Sequence, residues 1–337
     1  MNIRDRKDLR GRRAEALSRA NYHPGKLALI HTAIAAGVSL ILTVVNVILS
    51  ERIGDTGGLG GIGLRSVLIT VKSVLGILSM VVMPFWELGF VYAALKMSRQ
   101  QRTGPEDLLQ GFRNFGPVLR LKLLELAIYT VFGTLSINIG SAIFLMTPFA
   151  EPLAEAVLAM DPAGMTPETL MPIMEEVMLP MYLVMGLVAA VIILPIFYRF
   201  RMAKYLIMDD PAMGALRALG TSNCLMRHNR AALLRLDLSF WWFYGLQLLC
   251  IGIGYSDVIA PALGLELPFS ATAGLFLSFG LYCVGMLLMA WFFVSPVETT
   301  YAVAYDALVE MRKDAEPRVV KNFPWDFLPE RKEQEED

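Results

Sequence analysis

The chain has 337 residues, of which 55% are hydrophobic and only 18% charged. A water-soluble domain runs at about 45–50% apolar and about 25% charged. The net charge of −1 supplies no field to draw in nucleic acid, so that partner is excluded. Three scattered cysteines (Cys224, Cys250, Cys283) and three histidines (His23, His31, His228) show no C-x-x-C and no metal-ligand spacing. Neither a disulfide framework, a metal nor another cofactor is expected.

Residues 1–26 form a basic arm. The apolar block at 27–49 resembles a signal peptide in position but not in length, since its 23 residues exceed a cleavable core of about 7–15. It reads as a retained helix. Further apolar blocks fall at 74–95, 126–146, 179–198, 233–253 and 273–297. Each holds about 20 residues, enough at about 1.5 Å per residue to cross a hydrocarbon core of about 30 Å. Segments of this length satisfy their backbone polar groups in lipid only as helices. The expected fold class is an all-α membrane protein. A six-transmembrane-helix bundle occupies residues 27–310, and a charged tail follows at 311–337.

Lys and Arg orient the bundle. The arm holds eight, the stretch 96–125 six, the stretch 199–235 seven and the tail six, so 27 of the 30 lie on one side. Only Arg52, Arg65 and Lys72 lie on the other. Basic loops stay inside. Both termini are therefore expected in the cytoplasm, with the spans in the cell membrane and the lipid bilayer as the first partner.

Three loop features follow in chain order. The glycine run from Gly57 to Gly63 reads as a flexible outer linker. In the second loop, Thr103 and Glu106 fit a capping box. Leu108, Leu109, Phe112 and Phe115 then recur at helical spacing, and Gly116-Pro117 is expected to break the segment. In the fourth loop, Asp210 fits an N-cap with Pro211 at N1, followed by Met213, Leu216, Leu219 and Leu225. Both stretches are expected to form short amphipathic helices at the inner interface. Each leads into a similar sequence, 119–123 and 234–238. That likeness reads either as an internal repeat of hairpins or as the ordinary look of a basic loop entering a membrane.

Each inward-running span carries a proline near its inner end with a charge soon after: Pro84 before Glu87, Pro195 before Arg199, Pro296 before Glu298. Three kinks at one depth would splay the bundle toward the cytoplasm. Glu87 is the deepest ionisable residue, and a charge there calls for a partner; Arg199, Arg201 and Arg235 are the expected ones. The candidate intramembrane polar cluster is thus Glu87, Arg199, Arg235, Asp237 and Glu298. Glu87 reads as a proton or ion relay or as a structural carboxyl. Glu125, Asp237 and Glu298 read more simply as interfacial pairs. On the outer side Met171, Met174, Met178, Met181 and Met185 form one helical stripe. It suits Cu(I) in principle but ordinary packing more simply. No catalytic motif is recognised. In the tail, residues 322–329 form an aromatic, proline-punctuated patch that suits a docking peptide or a membrane-lying segment.

One further pattern spans residues 195–310: Pro195-x-x-Tyr198, then Asp209-x-Pro211, Ser222-x-x-x-Met226, Leu238-Ser239-Phe240 with Trp241 and Trp242, and Tyr301-x-x-x-Tyr305. These residues resemble the bacterial membrane family known as domain of unknown function 975. Phe243 stands where that family usually has tryptophan, and the glycine usual after the Met226 helix is replaced near His228-Asn229. The N-terminal half matches in layout, including the stretch 107–112. The resemblance implies a multi-span fold and no assigned chemistry.

Three functions follow. The first is a non-enzymatic scaffold or regulatory partner of a membrane complex, contacted through the tail or the interfacial helices. The alternative is a small transporter or ion-coupled carrier using the inner-half carboxylates. The second alternative is an intramembrane enzyme acting on lipid. An aqueous path from the inner face past Glu87, lined by the inner-half carboxylates, would favour the carrier, and a filled bundle the scaffold.

Overall fold

The computed structural model describes residues 6–55, 62–151, 155, 167–256 and 271–315, and among them the regular elements are all helical. In chain order they are α1 (Arg6–Ser18), α2 (Pro24–Asp55), α3 (Ile62–Ser98), a 3-10 turn (Pro105–Leu109), α4 (Gln110–Arg113) and α5 (Phe115–Leu145). Then come α6 (Pro167–Phe200), α7 (Ala203–Asp209), a second 3-10 turn (Pro211–Met213), α8 (Ala215–Met226), α9 (Arg230–Ser239) and α10 (Trp241–Gly254). The last are α11 (Ala271–Met289), a π turn (Ala290–Val294) and α12 (Ser295–Ala315). The glycine run at 57–61, the tail patch and the side chains of Met171 and Met174 lie outside the described residues.

Five helical runs are long and apolar enough to cross a membrane: Pro24–Ile53, Leu64–Ser98, Phe115–Leu145, Val177–Asp209 and Phe276–Arg312. A sixth candidate is α9 with α10, but these two meet at a bend of 60° rather than forming the straight span expected at 233–253. The break is local. Phe240 leaves helical geometry at φ −105, ψ 19, and its N–H turns to the carbonyl of Asp237, three residues back, at 2.8 Å.

The buried core lies at the end of the bundle that carries the basic loops, called here the basic end. It joins the second half of α3 (Phe85 to Met97), α7 (Ala203 to Met208), α8 and α12 (Val297 to Leu308). Away from that end, helices pack chiefly in pairs: α2 on α3, α5 on α6, α10 on α11. Their other faces stay open, as at Ile77, Val131 and Leu187. Apolar side chains facing lipid gain nothing from burial against each other, so such pairing is sufficient there. Splaying at the basic end is therefore not what the prolines produce, because the helices converge there. Pro84 and Pro195 lie within unbroken helices. The irregular turn at Ala290–Val294 precedes Pro296, where a proline removes a backbone donor. It packs close to α2: a Cβ on Gly25 would meet the carbonyl oxygen of Trp291 at 2.6 Å.

The second loop differs from expectation in two ways. Its cap sits at Gly104 rather than Thr103. The Asp107 carboxylate accepts the Gly104 N–H at 3.0 Å and the Lys96 ammonium at 2.9 Å. Glu106 is thus not the reciprocal partner, because an aspartate reaches back from N3 in its place. Gly116-Pro117 does not break the helix either, since α5 begins at Phe115 and runs through both. A proline in the first turn lacks only a donor that would be orphaned there anyway. Residues 105–113 lie against α3 itself: Leu108 is buried, and a Cβ on Gly89 would meet its carbonyl oxygen at 1.8 Å.

The fourth loop matches better. Asp210 caps the second 3-10 turn by accepting the Ala212 N–H at 3.1 Å. Gly214 then takes φ 78, a left-handed conformation that favours glycine. α8 follows with Ala215, Ala218, Leu219, Ser222, Leu225 and Met226 buried on one face. Its apolar stripe packs into the core. On the opposite side of the bundle, Met181 packs against Phe144, Ala150 and Val177, and Met185 lies against Gly140 of α5. Within the described part of the stripe Met181 and Met185 pack, while Met178 is 38% exposed.

Candidate functional site

The break between α6 and α7 at residues 201–202 places several polar side chains around one cavity at the basic end. Arg201 reaches across to α9 and pairs with Asp237; the two side chains are 10% and 14% exposed. Asp237 also accepts the hydroxyls of Tyr198 and Tyr301. The Tyr301 hydroxyl shares a hydrogen bond with that of Tyr244 at 2.9 Å, and its ring lies 4.4 Å from the Arg201 guanidinium. Bending α9 away from α10 brings Asp237 within reach of Arg201.

One turn along α7, Lys204 donates to Glu298 of α12 at 3.1 Å, and Tyr205 donates to the same oxygen at 2.5 Å. Glu87 of α3 stands 3.8 Å from the Lys204 ammonium and is 56% exposed. On α5, Lys122 donates to Glu125 at 3.1 Å. These groups line a cavity of about 380 Å³, whose remaining wall is aromatic and aliphatic, from Tyr129, Phe197, Phe200, Phe243, Val294 and Val297. Each of the three prolines has a wall residue within three positions after it: Glu87, Phe197 and Val297.

The expected cluster is only partly assembled. Glu87 and Glu298 line the cavity and Asp237 stands behind it, paired with Arg201 and Tyr301, but Arg199 and Arg235 do not join them. The Arg199 carbonyl accepts from Ser222 at 3.0 Å, while its guanidinium, like that of exposed Arg235, forms no ion pair among the described residues. The cation beside Glu87 is Lys204, which sequence reasoning had passed over. It lies in α7, turned away from the end of α6, whereas Arg199 still follows α6. Lys122, Tyr129, Tyr205 and Tyr244 were not singled out either. One signal did exist for the tyrosines: Tyr301 and Tyr305, four apart in an apolar run, both face the same side and both bond an aspartate.

The second of these contacts belongs to a neighbouring clamp. Tyr305 donates to Asp209 at 3.0 Å. Arg99, just beyond α3, donates to Asp209 at 3.0 Å and to Asp306 at 2.8 Å, and Ser98 donates to Asp306 at 2.7 Å. The hydrogen bond to Asp209 chiefly, against the cost of burial, and then Asp306 hold Arg99 more firmly protonated than a free arginine. This clamp ties α3, α7 and α12 together. Ser222, fully buried, bridges the Arg199 carbonyl and the Met202 N–H, the latter at 3.1 Å, and so pins α8 across the turn between α6 and α7. Met226 is buried in the core, Phe240 packs at 6.0 Å from the Tyr301 ring, and Ser239 donates to the Leu236 carbonyl beside the bend. Pro195 and Pro211 stand in α6 and at the second 3-10 turn.

The fold and this site define a helical membrane protein with several spans and a polar cavity where they converge. The family model described as "Protein of unknown function (DUF975)" matches residues 1–309, and the chain belongs to that family. The match extends the resemblance seen at residues 195–310 through the N-terminal half. Neither a curated protein nor a solved structure matches the chain.

Proposed function

We propose that the protein is a carrier for a small amphiphilic molecule, which it takes up in the cavity at the cytoplasmic ends of its spans. One observation carries this reading: Glu87 lines a cavity of about 380 Å³ in which charged groups and aromatic rings are interleaved. That volume lies within the range of small-molecule sites, about 300–1,000 Å³. In this reading the protein binds and moves its ligand without making or breaking bonds. Both termini face the cytoplasm of the cell membrane, as the one-sided basic loops suggest. Reporter fusions after Arg102, Arg227 and Asp337 should then read inside and those after Gly58, Glu168 and Glu266 outside. One reversed pair would overturn the orientation.

The carrier itself is tested in proteoliposomes loaded with hexyltrimethylammonium or hexanesulfonate, both permanently charged amphiphiles. Release of at least one should exceed that from protein-free vesicles and should fall when Val294→Trp fills the cavity. Release of neither probe would refute the carrier. A second reading, a scaffold for a membrane complex, draws on the open faces of α3, α5 and α6, which suit a partner helix. A protein partner for the tail or for α8 belongs to that reading.

A further inference from the structure

The geometry points to a cationic ligand for this cavity: an ammonium head group held beside Glu87, with a short apolar body lying against the aromatic wall. The inference rests on the carrier reading and names the class of molecule it would take.

The charges around the cavity do not balance. Lys122 has Glu125, Arg201 has Asp237, and Lys204 has Glu298, each pair within hydrogen-bonding distance. Glu87 is the fourth carboxylate against three cations. The ammonium nearest to it, on Lys204, stands at 3.8 Å and already donates to Glu298 at 3.1 Å. A separation of 3.8 Å is beyond a hydrogen bond. Exposure separates Glu87 from the other three as well. Its side chain is 56% exposed, while those of Asp237, Glu125 and Glu298 are 14%, 15% and 18% exposed. The described groups therefore leave one net negative charge, with Glu87 and Glu298 sharing Lys204, and Glu87 lines the open volume.

A carboxylate at membrane depth is costly unless a cation meets it. The aromatic lining suits an alkylated ammonium, because ring faces attract cations and also accept apolar groups. Phe200, Phe243 and Tyr129 supply such rings, while the Phe197 ring already lies 5.4 Å from the Arg201 guanidinium. An anionic amphiphile would place a second negative charge beside Glu87, where each lining cation among the described residues already has a carboxylate. A neutral one would leave Glu87 as it is.

The ammonium could belong to a free solute or to a lipid head group, and one experiment separates these. Binding of hexyltrimethylammonium, hexanol and hexanesulfonate to the full-length protein in phosphatidylglycerol nanodiscs would be measured by calorimetry, for wild type and Glu87→Gln. Wild type should bind the cation at least about tenfold more tightly than either other probe, the scale of one charge-assisted contact. Glu87→Gln should erase that preference while hexanol binding stays the same. Repeating the titration in phosphatidylethanolamine discs assigns the source. The loss of surface charge there affects both proteins alike, so a wild-type advantage over Glu87→Gln that shrinks means that a lipid ammonium competes for the site, and an unchanged advantage means a free solute. Equal or tighter binding of hexanesulfonate by wild type would overturn the inference without any variant. So would an undiminished cation preference in Glu87→Gln. If none of the three probes binds, the carrier reading falls together with it.

Discussion

Replacing Asp237 with alanine should destabilise the protein by about 3–5 kcal/mol, because Arg201 would stay buried with no carboxylate to meet it. The hydroxyls of Tyr198 and Tyr301 would lose their acceptor at the same time. The size of the loss comes from the stranded charge rather than from the net worth of the pair. A double variant that removes both charges, Arg201→Met with Asp237→Leu, should therefore recover much of it. Thermal unfolding in detergent, followed by tryptophan fluorescence, measures both. A double variant as unstable as the single one would show that the pair itself, and not the stranded arginine, holds α6 to α9.

Gly111→Ala and Gly89→Ala should each prevent residues 105–113 from seating on α3. A methyl on Gly111 would lie 1.9 Å from the carbonyl oxygen of Phe85, and one on Gly89 1.8 Å from that of Leu108. Both obstacles are backbone, which cannot swing aside like a side chain. Overpacking of this kind costs about 1–3 kcal/mol, and more where the neighbour is rigid. Gly220→Ala is the matched comparison. It sits inside α8, where an added methyl would meet nothing within 4 Å, and alanine should raise stability there by about 0.5–1 kcal/mol. Faster proteolysis between Gln101 and Asn114 would report the unseated loop. Gly111→Ala and Gly220→Ala behaving alike would contradict the close contact.

Much of this architecture was legible in the chain. Blocks of about 20 apolar residues mark a bilayer as solvent, and the described helices cover each of them. The Asp210 cap was legible because capping is local chemistry between neighbours. Local rules misled where tertiary contacts decided. Thr103 and Glu106 have the spacing of a cap, yet Asp107 takes the role because Lys96, eleven residues earlier, meets its carboxylate. Gly116-Pro117 looks like a break because proline usually ends a helix, but at the start of one it costs little. The partner of Glu87 was not legible at all. Choosing among Arg199, Arg201, Lys204 and Arg235 requires knowing that the chain turns at residues 201–202 and that α9 bends from α10. Neither is written in apolar periodicity. The buried core at the basic end was equally hidden, since Gly89, Ala93 and Ala94 read as ordinary span residues and matter through what lies on them.

A π turn holds one residue more than an α turn, so the one at Ala290–Val294 advances the helical phase of everything after it by about 100°. Counting faces forward from α11 would place Glu298, Tyr301 and Tyr305 on the wrong side. Deleting one residue within that turn would leave an apolar helix of nearly the same length. Because the turn already absorbs one extra residue, that deletion would restore regular α geometry and leave all three side chains facing Lys204, Asp237 and Asp209. The same deletion in the regular helix of α11 would rotate them by about 100°, so the π turn marks a place in this span where the bilayer and the cavity would both tolerate a lost residue.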